Sequence, residues 1–334
     1  MVHWMTNPAD LMLPPLTLLR VLSDGNTHSG RELASLLGVS RTAIWKQLAK
    51  LEPLGLELQS QTGKGYCLAG GLELLDEELI FANLAGGLSA LIGNFYLLRL
   101  VDSTNAYLLR QEPAEKIEIC LSEYQSAGRG RRGRQWVSPF ASNIYLSLKF
   151  TVNGGIAALE GLSLAVGVAV AHALSDLGVL DVQLKWPNDL LWRGKKLGGI
   201  LIEIAGDPSG ICQAVVGLGL NLKATHAMEQ LIDQPWVALD KVLESVPQRN
   251  RTVASLLNRL VPLLANYEAQ GFAPYHQAWE CLNAHVGQPV SLSMGNRTCE
   301  GIVRGVDETG ALLLETETGI STFHGGEVSL RSAV

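Results

Sequence analysis

The chain has 334 residues, 47% hydrophobic and 17% charged, with a formal net charge of −6. That supplies two or three domains with a sizeable apolar core and excludes disordered or fibrous chains. The acidic balance argues against non-specific coating of nucleic acid, while leaving room for a locally basic reader.

The first unit runs from about Pro15 to Leu68. "LTLLRVL" has helical spacing. In "HSGRELASLLGVSRTAIWKQLAKLEPLG", Ser29 and Glu32 form a capping box that starts a second helix. Leu33, Leu36 and Leu37 give that helix an apolar face, and Gly38 suits its C-terminal stop. Ser40 caps a third helix with Ile44, Leu48 and Leu51 on one face, ending before Pro53. Two short helices joined by a glycine-containing turn predict a helix-turn-helix. Ser40, Arg41, Thr42, Trp45 and Lys46 lie at or near the N-terminal end of the second of these, the end that meets base edges in such readers. Trp45 either packs inward or faces DNA. "LELQSQTGKGYCL" predicts a two-stranded wing around Gly63-Lys64-Gly65. Lys and Arg outnumber Asp and Glu in this unit, against the trend of the whole chain. The alternative use of such a module is protein docking.

After a glycine-containing joint, Ala69 to Asp76, helices and strands alternate. "NFYLLRLVDSTN" is a strand entering a capped helix. "EICLSEYQSAGRGRRGRQWVSP" is a strand followed by a loop, and "NIYLSLKF" is its partner strand. "GLSLAVGVAVAHAL" is an apolar helix of small residues, too short to span a bilayer. "VQLKW", "LGGILIEI" and "AVVGLGLNL" are further strands, with Arg193-Gly194 as a turn. From "GQPVSLSMGNRTCEG" onward the chain is nearly all short strands, with turns at Gly295-Asn296 and Thr309-Gly310. The expected organisation is a winged helix-turn-helix over 1–68, an α+β domain over 74–280 and an SH3-like β-barrel over 286–334.

The chemistry concentrates in "GRGRRGRQW". Gly128, Gly130 and Gly133 permit positive φ and close backbone approach, and successive N–H groups there form an anion-binding nest. The interleaved arginines add planar, permanently charged donors for carboxylate or phosphate. The GxxxxGK[ST] phosphate loop is absent. Lying between two apolar strands, the run is expected at the rim of a buried anion site. Ser103, Thr104 and Asn105 serve either as helix caps or as donors to a neutral polar ligand such as a urea. Lys185, Asn188 and Asp189 surround a strand-breaking proline in "KWPND", and Lys196 precedes Gly198-Gly199. Lysines and arginines with one carboxylate suit a nucleotide. The five cysteines are scattered without a CxxC pair, which points to buried thiols in a reducing compartment, the cytoplasm by default. The N-terminus lacks the basic region and cleavage signal of a secretory peptide.

"DSTN", "EYQSAGRGRRGRQW", "SPFASNIYLSL", "KWPNDLL", "KKLGGILIE" and "GLGLN", in this order and spacing, strongly resemble the biotin–protein ligases. The helix-turn-helix in front is similar to the bifunctional bacterial form, ligase and biotin operon repressor. The tail "RGVDETGALLLE…GGEVSLR" resembles that form's C-terminal domain. The likeness covers roughly Leu16 to Arg331; the residues before Leu16 have no clear counterpart.

The resemblance implies a central domain of the class II aminoacyl-tRNA synthetase/biotin ligase type. It implies biotin and ATP as substrates, Mg²⁺, a biotin carboxyl carrier protein of acetyl-CoA carboxylase as acceptor, operator DNA, and a homodimer when ligand-bound. Ser103, Thr104, Asn105 and Gln125 would hold the biotin ring. Gly128, Arg129, Gly130, Arg131 and Lys196 would hold its carboxylate and the joining phosphate. Arg134, Lys185, Asn188, Asp189 and Asn221 would handle the nucleotide. Trp236 would pack on adenine from a loop ordered by ligand. Arg131, Lys196 and Asp189 are the expected catalytic groups, with Asp189 either a proton acceptor or a magnesium ligand. Trp45 stands where some relatives carry a smaller polar residue. The rival readings are a lipoate-type ligase and a biotin-sensing regulator without turnover.

Overall fold

The computed structural model describes residues 13–294, 297–325 and 328–332. The N-terminal unit holds α1 (Leu16–Leu22), α2 (Gly30–Leu37) and α3 (Arg41–Leu48). The Ser29 hydroxyl accepts the Glu32 N–H at 3.1 Å, and Ser40 accepts Ala43 N–H at 3.2 Å. The Glu32 carboxylate does not close the box; it faces His28 Nδ1 instead. Gly38 adopts the left-handed conformation that ends α2, with φ of 64°. Strands β1 (Leu58–Gln61) and β2 (Gly65–Leu68) make the wing. Leu18, Leu19, Leu22, Leu33, Ile44 and Leu48 form the unit's core.

This core does not end at the unit. Phe140 and Ala141, just beyond the arginine-rich run, are buried in it. The joint at 69–76 is likewise bolted down. The Leu75 N–H donates to Glu123 at 2.6 Å, and Glu123 forms a buried ion pair with Arg249 at 2.8 Å. Glu73 accepts the N–H groups of Arg249 and Asn250 at the start of a long helix. The glycine-containing joint thus uses its carboxylate and main chain as anchors.

The central unit is built on a seven-stranded sheet. Its strands are β3 (Ile92–Leu98), β4 (Ile117–Ser122), β5 (Ile144–Val152), β6 (Val182–Lys185), β7 (Asp189–Trp192), β8 (Lys195–Gly206) and β9 (Cys212–Leu220). The order is β3-β4-β5-β9-β8-β7-β6, and only β3 and β4 run parallel. Between the wing and this sheet comes the short α4 (Glu77–Ala82), and α5 (Thr104–Leu109) follows β3. Helices α6 (Leu162–Asp176) and α8 (Arg249–Gln270) cover one face, and the short α7 (His226–Leu231) lies between them in sequence. The apolar stretch around α6 extends over 156–176 and is long enough by composition to cross a membrane, but α6 is the buried centre of this core.

The period-2 alternation of strands decides what the other face carries. In β5, Ile144, Leu146 and Leu148 enter the helical core, so Ser147 faces the opposite side. In β9, Leu218 and Leu220 do the same, so Gly217 and Gly219 line that opposite face. "GLGL" therefore codes a core on one side and a bare trough on the other. Helix α5 packs on this second face through Leu108 against Cys120 and Val215.

Helix α9 (Ala273–Leu282) leads to the C-terminal antiparallel sheet, ordered β13-β12-β11-β10-β14. Its strands are β10 (Pro289–Met294), β11 (Arg297–Val306), β12 (Leu312–Thr316), β13 (Gly319–Phe323) and β14 (Val328–Ser332). The turn expected at Gly295-Asn296 and the Gly326-Glu327 pair lie outside the described residues. Val290, Leu292, Val303 and Leu312 join the central core. Trp186 Nε1 donates to Gly310 O at 3.1 Å, and Glu280 accepts Val306 N–H at 2.6 Å.

Candidate functional site

The trough over β9 and β8 is bounded by α5 and by the glycine-arginine loop. Ser103 caps α5, accepting the Ala106 N–H, while Asp102 beside it is held by Arg110 at 2.7 Å. The Arg110 guanidinium keeps the Asp102 carboxyl below the usual carboxylate range, opposed by partial burial. Thr104 presents both its N–H (2.9 Å) and its hydroxyl (3.1 Å) to Gln125 Oε1. Gln125 Nε2 donates to Ser138 Oγ at 3.1 Å. Ser147 Oγ lies 2.7 Å from Thr104 Oγ1 and 2.6 Å from Asn105 Oδ1. Each of these hydroxyls has one proton to donate, and its oxygen keeps acceptor capacity at this end of the trough.

Trp136 lies across the floor. A Cβ on Gly219 would come within 2.3 Å of its indole, and one on Gly199 within 3.4 Å. Gly219 is required here by close approach rather than by backbone angle. The same holds for Gly128, where a Cβ would meet Trp136 O at 2.5 Å. Within the loop, positive φ occurs at Arg132 (58°) and Gly133 (70°), not at Gly128 or Gly130. Of the two uses expected of these glycines, close approach applies at Gly128 and positive φ at Gly133.

The cations divide between two places. Arg129 Nη2 meets Glu203 at 3.0 Å. Arg131 Nη1 donates to Asn188 Oδ1 at 3.2 Å, and Asn188 Nδ2 donates to Ile200 O. Burial draws the Arg131 guanidinium below its ordinary value, with the Asp189 charge opposing. Lys196 pairs with Asp189 at 2.6 Å and sits 5.8 Å from the Trp136 ring centroid. Arg129, Arg132 and Arg134 are exposed on a pocket of about 580 Å³ shared with Arg131, Leu201 and Glu203. The loop therefore borders an open pocket, more solvated than a buried rim.

Asn221 is buried and spends its amide on Val237 O at 3.2 Å, fixing the segment that carries Trp236 opposite Lys196. Lys185 is half-buried at the end of β6. In the N-terminal unit, Ser40, Arg41, Thr42, Trp45 and Lys46 are all exposed, and Trp45 is 63% exposed, so it does not pack into the core. Trp136, Ser147, Glu203 and the Gly217–Gly219 pair were not singled out from the sequence as site residues. A lone serine in the apolar run "YLSLKF" and a lone glutamate in "ILIEI" are the signals that could have found two of them. Among the described residues there is no group of three His, Cys, Asp or Glu side chains placed to hold a metal ion.

With this geometry in place, comparison with known proteins is decisive. Residues 97–221 match the Biotin/lipoate A/B protein ligase family, 285–331 the Biotin protein ligase C terminal domain, and 16–67 an HTH domain. The chain is 42% identical to the bifunctional ligase/repressor BirA of Salmonella typhimurium, over 96% of this chain and 98% of that one. It is 41% identical to the Escherichia coli protein of the same name, over the same shares. The biotin protein ligase from Aquifex aeolicus, solved in complex with biotin and ATP, superposes with a TM-score of 0.63 at 28% identity, covering 72% of this chain and 99% of that chain. A trough edged by arginine and lysine, behind a winged helix-turn-helix on the same chain, thus belongs to a member of the biotin protein ligase family in its bifunctional ligase/repressor form.

Proposed function

We propose that this chain joins biotin to ATP as biotinyl-5′-adenylate, releases pyrophosphate, and passes the biotinyl group to a lysine of a biotin carboxyl carrier protein of acetyl-CoA carboxylase. The observation that carries this reading is the cluster of Arg131, Asn188, Asp189 and Lys196 beside Trp136, at a trough that also offers Thr104 and Gln125. The Thr104 and Ser147 hydroxyl oxygens keep lone pairs that a urea N–H can donate to. Biotin's carboxylate is ionised near neutral pH, so the first step requires no base. Its obstacle is the approach of a carboxylate to a phosphate, with repulsion of about 4 kcal/mol at 4 Å and an effective dielectric near 20. Arg129, Arg131 and Lys196 offset that repulsion and stabilise charge building on phosphorus oxygens. Lys185, Asn188, Asp189, Arg134 and Trp236 take the nucleotide.

In the second step a lysine with a pKa of about 10.4 must lose its proton. Asp189 is the carboxylate within this cluster, with Lys196 holding one of its oxygens. Mg²⁺ is compatible with a single protein carboxylate, because it is commonly held by one or two carboxylates plus substrate phosphates and water. Asp189 would hold it, and the ion would neutralise phosphate charge.

The exposed end of α3 and the wing address operator DNA, and adenylate binding favours a homodimer that matches a two-fold operator. Five free thiols suit a reducing, cytoplasmic setting. Incubation with biotin, ATP and a carrier domain is the deciding assay. Biotin transfer is expected; binding without adenylate or a preference for lipoate would overturn the reading. Gel shift on operator DNA with and without biotin and ATP tests the switch, and equal affinity in both would remove it.

A further inference from the structure

The glycine-arginine loop is tied to the sheet at both ends by one continuous polar chain. At the C-terminal end, Ser138 Oγ donates to Trp136 O and accepts from Gln125. From Gln125 the chain passes through Thr104 and Ser147 to Asn105 Oδ1. Asn105 Nδ2 then donates to Glu203 Oε2 at 2.8 Å, and the same oxygen receives Arg129 Nη2 at 3.0 Å. Arg129 and Glu203 are 74 positions apart in sequence.

Glu203 is an odd residue for this place. It is the one acidic side chain lining a pocket edged by four arginines, where a fixed negative charge repels an anionic ligand. Its side chain is 23% exposed, and its carboxylate is shared between the exposed Arg129 and the buried Asn105. Asn105 is itself immobilised: a Cβ on Gly217 would lie 2.3 Å from its Oδ1, so the amide rests directly on the sheet. Glu203 is thus a carboxylate anchored on a rigid amide, offering its oxygen to an exposed cation of the loop.

We propose that Glu203 is a positioning residue for the adenylation reaction. It holds Arg129 by ion pair and hydrogen bond, so that the guanidinium's remaining N–H groups face the trough for biotin's carboxylate. A long exposed arginine otherwise loses rotamer freedom on binding ligand, and a preformed pair removes part of that cost. This rests on the ligase reading above and adds to it the acid that sets the loop.

The test is steady-state adenylate formation by the full-length protein carrying Glu203→Gln, Glu203→Asp or Arg129→Ala, and by the Arg129→Ala/Glu203→Gln double variant. Glu203→Gln keeps the shape and loses the charge. It is expected to raise KM for biotin about tenfold, with KM for ATP and the thermal midpoint near wild type. In the Arg129→Ala background the same change is expected to do nothing further, because Glu203 acts through Arg129. Glu203→Asp should recover part of the affinity. Equal losses in both backgrounds, or parallel rises in both KM values, would mark a merely structural residue and overturn the proposal. A lowered KM for biotin would show that Glu203 withholds Arg129, and would overturn it too. Absence of adenylate from the wild type would instead sink the ligase reading and leave the two failures distinguishable.

Discussion

Gly219→Ala is the sharpest single perturbation of the trough. The backbone there is extended, so alanine meets no φ penalty, and the whole effect comes from one methyl group. That methyl would stand 2.3 to 2.7 Å from three atoms of the Trp136 indole. Forcing such a contact costs about 1–3 kcal/mol in a packed interior. Trp136 is only half-buried and its Nε1 has no partner within the protein, so the ring can swing outward. The strain is then exchanged for a displaced ring beside Lys196 and the loop. Folding stability should fall little, by no more than a few degrees in thermal midpoint. The site should pay instead: 1–3 kcal/mol at the trough corresponds to about a five- to 150-fold loss in kcat/KM for biotin. Pyrophosphate exchange against a biotin titration measures this, with a thermal melt alongside. Wild-type biotin dependence with a wild-type melt would show that the ring's seat on Gly219 has no part in binding.

Other outcomes follow from the same geometry. Arg131→Ala should lower adenylate formation about 10²- to 10³-fold, as removal of one transition-state donor does elsewhere, while the melt barely changes; unchanged turnover would refute its role. Arg41→Ala should weaken operator binding and reduce the slope of log affinity against log salt by about one, measured by gel shift over a salt series. His28 sits between Asp24 (3.0 Å) and Glu32 (3.2 Å), and the Asp24 hydrogen bond raises its pKa above 6.5 against the pull of burial. Its contribution to folding is therefore whole below about pH 6.5 and is lost as pH rises through the folded value. Melts from pH 6 to pH 9 should lose that increment in the wild type and not in His28→Ala.

Local chemistry made much of this protein legible in advance. Ser29 and Ser40 cap the helices they were read to cap, because capping involves residues only three apart. The strands "NIYLSLKF" and "AVVGLGLNL" read true because alternation is a property of neighbours. The loop glycines were read for positive φ and close backbone approach together; which use applies where, close approach to Trp136 at Gly128 and positive φ at Gly133, depends on a turn that sequence spacing does not draw. Trp45, ambiguous by composition, is exposed because Ile44 and Leu48 already fill the helix's inner face.

By itself the amino-acid sequence determined the helix-turn-helix, the alternating strands and the presence of a concentrated cationic run, since periodicity and capping are encoded within a few residues. Only the tertiary structure decided which groups that run would meet. Arg129 finds Glu203, Arg131 finds Asn188 across 57 positions, and Glu123 finds Arg249. The first follows from the strand order β3-β4-β5-β9-β8-β7-β6, which brings β8 and β9 beneath a loop between β4 and β5; Asn188 lies in the turn between β6 and β7, and Arg249 at the start of α8. A pattern along the chain states which face a side chain takes, whereas the charge opposite it is set by how the strands are ordered in space.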